Sequence, residues 1–317
     1  MLYRLLLISL TILALPAIAQ RRDTVSLKTA TGNIYGTLTI PKQVKTLVPV
    51  VIIIPGSGPT DRDGNNGPLQ NNSLRMLSDS LSRRGIASLR YDKRGIGASK
   101  AAAPDESSLR FPDYVEDVTG WIGQLKKDKR FGKILVAGHS EGSLIGMLAV
   151  KKVPVAGFIS IAGAGKSADK IVIDQLTAMP QLPRTTLDSM ITLFGQLRRD
   201  GHISNLPDGP WFKSLFRPSV QPYFASWLQY DPAKEIEGVN IPTLIIQGLS
   251  DLQVDSNQSK LLAAGKPDAQ LLLIPGMNHV FKNAPADDRM ANMATYYDSS
   301  PIMSALPKAI ASFIKSL

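Results

Sequence analysis

The chain has 317 residues and is 44% hydrophobic, which excludes an intrinsically disordered protein and suits one large α/β domain, with or without an insertion. It contains no cysteine, so disulfides, thiolate metal sites and thiol catalysis are excluded, and stability must come from the core. The formal net charge is +10, but Lys and Arg occur singly or in pairs, which favours a basic globular protein over a nucleic-acid-binding one.

The first segment is typical of a secretory signal peptide. Arg4 supplies a positive start, residues 5–15 are apolar, and Ala17 and Ala19 form a small-residue cleavage site. An uncleaved membrane anchor is the alternative, but the apolar run is shorter than the ~20 residues that span a bilayer. We therefore expect cleavage near Ala19, export to the periplasm or the medium, and no stable membrane insertion.

The residues after this segment predict strands that alternate with helices. Alternating polarity around Gly32 predicts a hairpin over residues 24–29 and 33–40. The β-branched run over residues 48–54 is typical of a strand buried on both faces. Further predictions are strands over 86–91, 133–138, 155–162, 243–247 and 270–274, helices over 73–84, 114–127 and 256–264, and a closing helix near the carboxyl terminus. This order predicts a mostly parallel sheet with right-handed crossovers and helices on both faces.

The stretch KILVAGHSEGSLIGML, residues 133–148, predicts a nucleophile elbow. Its G-x-S-x-G pattern places Ser140 on a sharp turn between a strand and a helix. Gly138 and Gly142 are needed because the two backbones approach too closely for a Cβ atom. The first free N–H groups of the helix then point at the reacting centre and can hold a developing oxyanion. The alternative is a serine that only caps a helix.

Residues 166–235 predict a helical insertion, because they are too long for a crossover and too regular for a loop. The clearest helical stripe consists of Leu187, Met190, Ile191, Phe194 and Leu197. Seven aromatic residues follow, from Trp211 to Tyr230, in a segment expected to lie over the carboxyl ends of the strands, where ligands bind in such sheets. We interpret it as a lid on a core domain of residues 20–165 and 236–317. The alternative is that the aromatic residues only attach the insertion to that core.

A serine nucleophile needs a base, and the base needs an orienting carboxylate. The chain has three histidines. His139 adjoins the nucleophile and is expected to point away from it, and His202 lies among polar residues of the insertion. Elimination leaves His279, which follows the strand over 270–274 by a glycine-containing turn.

The orienting carboxylate is expected after the strand over residues 243–247. Asp251 is the candidate there, and Asp255 is the near alternative. The order serine, aspartate, histidine along the chain is that of the α/β-hydrolase arrangement.

Two backbone N–H groups are expected to form an oxyanion hole. One belongs to Glu141, which follows the nucleophile, and the other to Ser57 in the loop after the third strand, with Gly58 as the alternative. A phosphate-binding loop is disfavoured because no lysine follows as in a P-loop. The Glu141 side chain is explained by the helix dipole, which stabilises a first-turn carboxylate by ~0.3–1 kcal/mol. We interpret the charged residues 92–94 as a structural turn rather than a substrate clamp.

Three motifs together resemble the α/β-hydrolase superfamily: PGSGPTDRDGN at residues 55–65, RYDKRGIGAS at 90–99 and GHSEGS at 138–143. Within it the chain resembles exported bacterial carboxylesterases that are related to serine aminopeptidase-like hydrolases, over residues 24–317. The resemblance implies a Ser140, Asp251 and His279 triad and no cofactor. It is not specific for the substrate, which we expect to be a small ester. Because the His-Gly-Gly motif of many lipases is missing, long-chain triacylglycerols are disfavoured.

The sequence therefore predicts an exported serine hydrolase without a metal, a carboxylesterase that forms an acyl-enzyme on Ser140. An amidase or peptidase with the same triad is the first alternative, since the acyl chemistry is shared. A noncatalytic binding protein that retains the fold is the second.

Overall fold

The computed structural model describes residues 20–42 and 47–317, so the predicted signal peptide lies outside the described residues. The strands are β1 (Arg21–Thr29), β2 (Gly32–Ile40), β3 (Val48–Ile54), β4 (Ala87–Tyr91), β5 (Phe131–His139), β6 (Gly157–Ile161), β7 (Thr243–Gly248) and β8 (Gln270–Ile274). The helices are α1 (Ser73–Ser82), α2 (Phe111–Lys127), α3 (Glu141–Lys152), α4 (Ala168–Thr177), α5 (Arg184–Asp200), α6 (Pro210–Phe216), α7 (Gln221–Trp227), α8 (Pro232–Glu235), α9 (Ser256–Gly265), α10 (Arg289–Ala294) and α11 (Ala305–Ser316). Within the described ranges, no helix combines the length and the apolar character needed to cross a bilayer.

The strands form one eight-stranded sheet in the order β1-β2-β4-β3-β5-β6-β7-β8. The predicted hairpin is confirmed, because β1 pairs antiparallel with β2 over its whole length, and β2 pairs antiparallel with β4. From β4 to β8 every neighbouring pair is parallel. The predicted α/β class with a mostly parallel sheet is therefore confirmed.

The core consists of two apolar layers, one on each face of the sheet. In β3, Val50, Ile52 and Ile54 belong to one layer and Val51 and Ile53 to the other, as expected when successive side chains point to opposite faces. Helices α2, α3 and α9 contribute to the first layer, and α1 and α11 to the second. The continuous β-branched run thus reflects burial on both faces.

Helices α4 to α8 lie between β6 and β7 along the chain, and residues of α4 to α7 form a small apolar cluster of their own. In α5 the predicted stripe is correct except for Ile191, which is 41% exposed. Leu193 is buried instead, because the buried face centres on Met190 and Leu197 and Ile191 lies at its rim. The role of these helices as a lid stays a prediction.

Several element boundaries differ by a few residues from the sequence interpretation. Helix α2 begins at Phe111 instead of Tyr114, because Pro112 lies in its first turn and the Asp113 carboxylate accepts the Arg110 N–H at 2.7 Å. The short helix α10 lies before the closing helix, in a stretch for which no element was predicted, and the Asp288 carboxylate caps its first turn. In both helices a carboxylate of the first turn or the cap accepts a backbone N–H group, which is a local signal.

Candidate active site

Ser140 lies on the turn between β5 and α3 with φ +55°, in the left-handed region that is costly for a residue other than glycine. A Cβ atom at Gly138 would lie 2.0 Å from the Gly142 carbonyl oxygen, and one at Gly142 would lie 2.6 Å from the Ile54 carbonyl oxygen. The strand, the helix and the end of β3 therefore meet too closely for any side chain at either glycine. This is the local geometry of a nucleophile elbow.

His279 and Asp251 form a buried pair, with Nδ1 of His279 2.8 Å from Oδ2 of Asp251. The N–H groups of Gln253 and Val254 donate to the other oxygen, Oδ1, at 2.8 and 3.0 Å. Burial acts to raise the pKa of Asp251, but His279 and these N–H groups outweigh it, so the pKa lies below its usual value. An ionised Asp251 accepts the Nδ1 proton and leaves Nε2 of His279 as the basic nitrogen.

The other candidates for acid and base have different surroundings. Asp255 caps α9, because its carboxylate accepts the N–H of Asn257 at 2.7 Å. His202 is exposed. His139 is buried, and its Nε2 lies 3.0 Å from the carbonyl oxygen of His279. Burial, together with the nearby His279, lowers the pKa of His139 to about 3, so this imidazole is neutral and donates to the backbone of His279.

Ser140 and His279 line one cavity of about 170 Å³, which we call the polar cavity. Within the described residues the Ser140 hydroxyl makes no hydrogen bond. Such bonds are often long in free enzymes and tighten when substrate binds. The structure thus brings Ser140 to the same cavity as the imidazole of the buried pair.

The loop after β3 packs directly against the elbow. A Cβ atom at Gly56 would lie 3.3 Å from the Ser140 Cβ. Ser57 lines the polar cavity and also a second one of about 80 Å³, which we call the apolar cavity, and Ser140 lines both. Gly58 instead lines a third cavity beside Lys93. This placement favours Ser57 over Gly58 as an oxyanion donor.

Lys93 is a residue of the site that sequence reasoning missed. Its Nζ lies 2.6 Å from the Glu141 carboxylate, and the side chains are 1% and 2% exposed. The Tyr223 hydroxyl of α7 donates to the other carboxylate oxygen. Glu141 therefore does more than complement the helix dipole, because its side chain holds a buried cation between the elbow and the insertion.

The same ammonium group also fixes the loop after β3. Lys93 Nζ donates to the Gly56 carbonyl oxygen at 2.7 Å. In a trans peptide the C=O and N–H groups point in opposite directions. Holding the Gly56 carbonyl therefore also sets the direction of the Ser57 N–H group. A lysine two residues after the end of a buried strand was the available signal in the sequence.

The neighbours of Lys93 agree with the structural-turn interpretation. Asp92 pairs with Arg62 at 2.6 Å, and Arg94 pairs with Asp117. Both partners lie on neighbouring segments of the core. The charges of Asp92 and Arg94 therefore hold the loop in place, whereas Lys93 contacts Glu141 at the elbow.

Two amides that sequence reasoning also missed support the loops of the acid and the base. The Gln247 amide donates to Asp251 at 3.2 Å and to the Val254 carbonyl at 2.7 Å. The Asn292 amide of α10 donates to the Ser250 carbonyl at 2.8 Å, and its oxygen accepts from Asn278 at 3.2 Å. The two loops are thereby tied to each other. No periodicity in the sequence signals such a contact.

Solved structures with a similar fold include Est1E from Butyrivibrio proteoclasticus with ferulic acid bound, which has a TM-score of 0.62 and 19% identity over 92% of this chain and 99% of that chain. Another is the α/β hydrolase GrgF from a Penicillium species, with a TM-score of 0.59 and 18% identity over 93% of this chain and 98% of that chain. This chain has the α/β-hydrolase fold. The fold that the three motifs imply is thus confirmed.

Two sequence comparisons show which protein families this α/β-hydrolase-fold chain is similar to. The family model of the serine aminopeptidases S33 matches residues 72–212, which include the elbow. Esterase EstD of Thermotoga maritima is 26% identical over 254 residues, which cover 78% of this chain. The aligned region spans 58% of that relative's length. The resemblance to serine aminopeptidase-like hydrolases and esterases is confirmed, while export is not addressed by either comparison.

Proposed function

We propose that this protein is a serine hydrolase, a carboxylesterase that forms an acyl-enzyme on Ser140. The observation that carries the proposal is the His279–Asp251 pair, 2.8 Å from nitrogen to oxygen, which faces a cavity shared with the elbow serine. A serine with a positive φ on an elbow, an imidazole held by an ionised carboxylate, and backbone N–H groups beside them are the parts that acyl transfer requires.

The mechanism follows from these positions. Nε2 of His279 takes the Ser140 proton as Oγ attacks the ester carbonyl, and Asp251 stabilises the imidazolium that forms. The N–H groups of Glu141 and Ser57 hold the negative oxygen, each worth ~3 kcal/mol in the transition state. His279 then returns the proton to the departing alcohol. A water molecule repeats the sequence on the acyl-enzyme and releases the acid.

The arrangement of charges favours an ester over a peptide with a free amino terminus. An aminopeptidase must bind an ammonium group, for which a carboxylate is the usual partner. Of the described residues that line the polar and apolar cavities, Glu141 alone carries a carboxylate, and Lys93 and Tyr223 already occupy it. Comparing hydrolysis of an ester with that of the matching anilide separates the two reactions.

Export remains part of the proposal and has its own test. The sequence of the first segment supports a mature protein that begins at Gln20. Amino-terminal sequencing of the protein from a cell fractionation should find Gln20 first, in the periplasm or the medium. Recovery of a chain that still begins at Met1 contradicts this part of the proposal.

The catalytic proposal is tested with p-nitrophenyl acetate and the variant Ser140→Ala. We expect kcat/KM to fall by at least about 10³-fold, while circular dichroism shows an unchanged fold. A noncatalytic binding protein predicts that the unaltered chain itself has no turnover. Undiminished hydrolysis by the variant contradicts the role of Ser140.

A further inference from the structure

The two cavities beside Ser140 differ in the chemistry of their walls. The apolar cavity is lined mainly by aliphatic and aromatic side chains, which are Leu144, Ala164, Ala168, Ile171, Val172, Trp227, Pro232 and Val254. The polar cavity is lined mainly by neutral hydrogen-bonding side chains, which are Ser57, Thr60, Asn66, Asn71, Ser73, Gln253 and Tyr296. None of the described residues that line the polar cavity is an Asp, Glu, Lys or Arg.

Several polar groups in the polar cavity are free for a ligand. Within the described part of the chain, the Ser73 hydroxyl and the Asn66 amide make no hydrogen bond. The Asn71 oxygen accepts the Ser73 N–H at 2.9 Å, but its amide nitrogen has no partner among the described residues. Ser73 and Asn71 are only 2% and 3% exposed. A ligand that fills the cavity covers these groups, and a covered polar group needs a hydrogen-bonding partner, so they favour a polar ligand.

The position of His279 decides which part of an ester enters which cavity. The base delivers its proton to the departing oxygen, so the alcohol must leave on the side of the imidazole. His279 lines the polar cavity and is not part of the lining of the apolar one. The alcohol therefore lies in the polar cavity, and the acyl group lies in the apolar cavity of about 80 Å³.

We propose that the substrates of this site are esters between a short acyl group and a neutral, hydroxyl-rich alcohol such as a polyol or a sugar. This inference rests on the proposed function. Amide and hydroxyl groups pair with the hydroxyl groups of such an alcohol, and a wall without charge gives no advantage to an ionised one. An apolar alcohol would cover the polar groups of Ser73 and Asn71 without offering them partners, which costs binding energy.

The test uses two acetates whose alcohols have the same shape. 1-Acetylglycerol carries two hydroxyl groups, and 2-methylbutyl acetate carries carbon atoms in their places. We expect kcat/KM to be at least about tenfold higher for 1-acetylglycerol, as one or two additional hydrogen bonds predict. An equal or lower value for 1-acetylglycerol overturns the inference.

Variants of residues that line the polar cavity test whether the preference for 1-acetylglycerol arises there. Asn66→Leu and Ser73→Ala remove groups that make no hydrogen bond within the described protein, so both are expected to fold. Each should lower the ratio of the two kcat/KM values several-fold. Asn205→Leu is the matched control, because Asn205 is exposed in the insertion and lines neither cavity. A ratio that stays unchanged in both cavity variants overturns the inference.

The outcome also separates this inference from the proposed function. If both acetates are hydrolysed and Ser140 reacts with a fluorophosphonate, but no preference is found, the inference fails and the esterase stands. If neither acetate is hydrolysed and Ser140 does not react, the proposed function fails and the inference falls with it.

Discussion

Lys93 and Glu141 form an ion pair inside the protein, with 2.6 Å between nitrogen and oxygen. Lys93 follows β4, Glu141 begins α3, and Glu141 also accepts a hydrogen bond from the Tyr223 hydroxyl of the insertion. The same lysine holds the Gly56 carbonyl of the loop after β3. One buried charge pair thus joins the two segments that supply the proposed oxyanion donors.

Breaking this pair should destabilise the protein strongly. Lys93→Met leaves the Glu141 carboxylate buried without its cation, and removing one partner of a buried pair costs ~3–5 kcal/mol. Urea unfolding should show that the free energy of unfolding falls by this amount. Lys152→Met is the control, because its ion pair with Glu116 is exposed and should contribute less than ~1 kcal/mol. Equal losses in the two variants contradict the structural role of Lys93.

The double variant Lys93→Met/Glu141→Gln separates stability from activity. It removes the uncompensated charge, so part of the unfolding free energy should return. The Gly56 carbonyl still lacks its donor, so kcat should stay at least about tenfold below the unaltered enzyme, with a smaller change in KM. If kcat returns together with stability, the pair does not position the loop.

Two neighbouring aspartates should respond very differently to the same substitution. Asp251→Asn should lower kcat by about 10⁴-fold, because an amide no longer holds the productive tautomer of the histidine. Asp255→Asn should leave kcat unchanged, since Asp255 only caps α9, and asparagine also caps helices well. Ester hydrolysis by the two variants measures this difference. A larger loss of kcat in Asp255→Asn than in Asp251→Asn would contradict the assignment of Asp251 as the carboxylate that orients His279.

His139 should make stability fall as the pH falls. In the unfolded chain a histidine titrates near pH ~6.5, whereas burial holds the pKa of His139 at about 3. Between these values the unfolded state binds a proton that the folded state does not, so unfolding becomes easier. From pH 7 to pH 5 this one group should remove ~2 kcal/mol.

The variant His139→Gln tests this titration. Its amide can still donate to the His279 carbonyl but binds no proton. Urea unfolding at both pH values should therefore show a smaller loss in the variant than in the unaltered protein, by ~2 kcal/mol. The same loss in both proteins contradicts the assignment of a neutral, buried His139.

The apolar cavity should limit the length of the acyl group. Val172 of α4 lines this cavity, so Val172→Ala creates room for a longer chain. The ratio of kcat/KM for hexanoate to that for acetate should rise about tenfold, as one or two methylene groups in an apolar pocket predict. Ile191→Ala is the control, because Ile191 is 41% exposed on α5. A similar rise in the control would place the acyl group elsewhere.

The central sheet could be predicted because its signals are local. The run over residues 48–54 is buried on both faces, and the alternation around Gly32 becomes a hairpin. The elbow could also be predicted, since the sharp turn from β5 into α3 leaves no room for a Cβ atom at Gly138 or Gly142. The pairing of Asp251 with His279 could be predicted as well, because each residue comes soon after a strand and the two strands, β7 and β8, are neighbours in the sheet.

The remaining features depend on contacts between distant segments. Lys93 and Glu141 are far apart in sequence, and only the fold reveals that each neutralises the other. Ile191 fits the helical period but lies at the rim of the buried face. Phe111 of α2 stacks on Trp227 of the insertion, more than a hundred residues away. No pattern within a single segment encodes such a pairing.

The most direct test of the account is covalent labelling of the purified protein with a fluorophosphonate, followed by mass spectrometry of its peptides. We expect one adduct, on Ser140, whose formation abolishes hydrolysis of p-nitrophenyl acetate, and no adduct in Ser140→Ala. An unlabelled Ser140 in folded protein that hydrolyses the ester, or an adduct on another serine that stops the reaction, would contradict it.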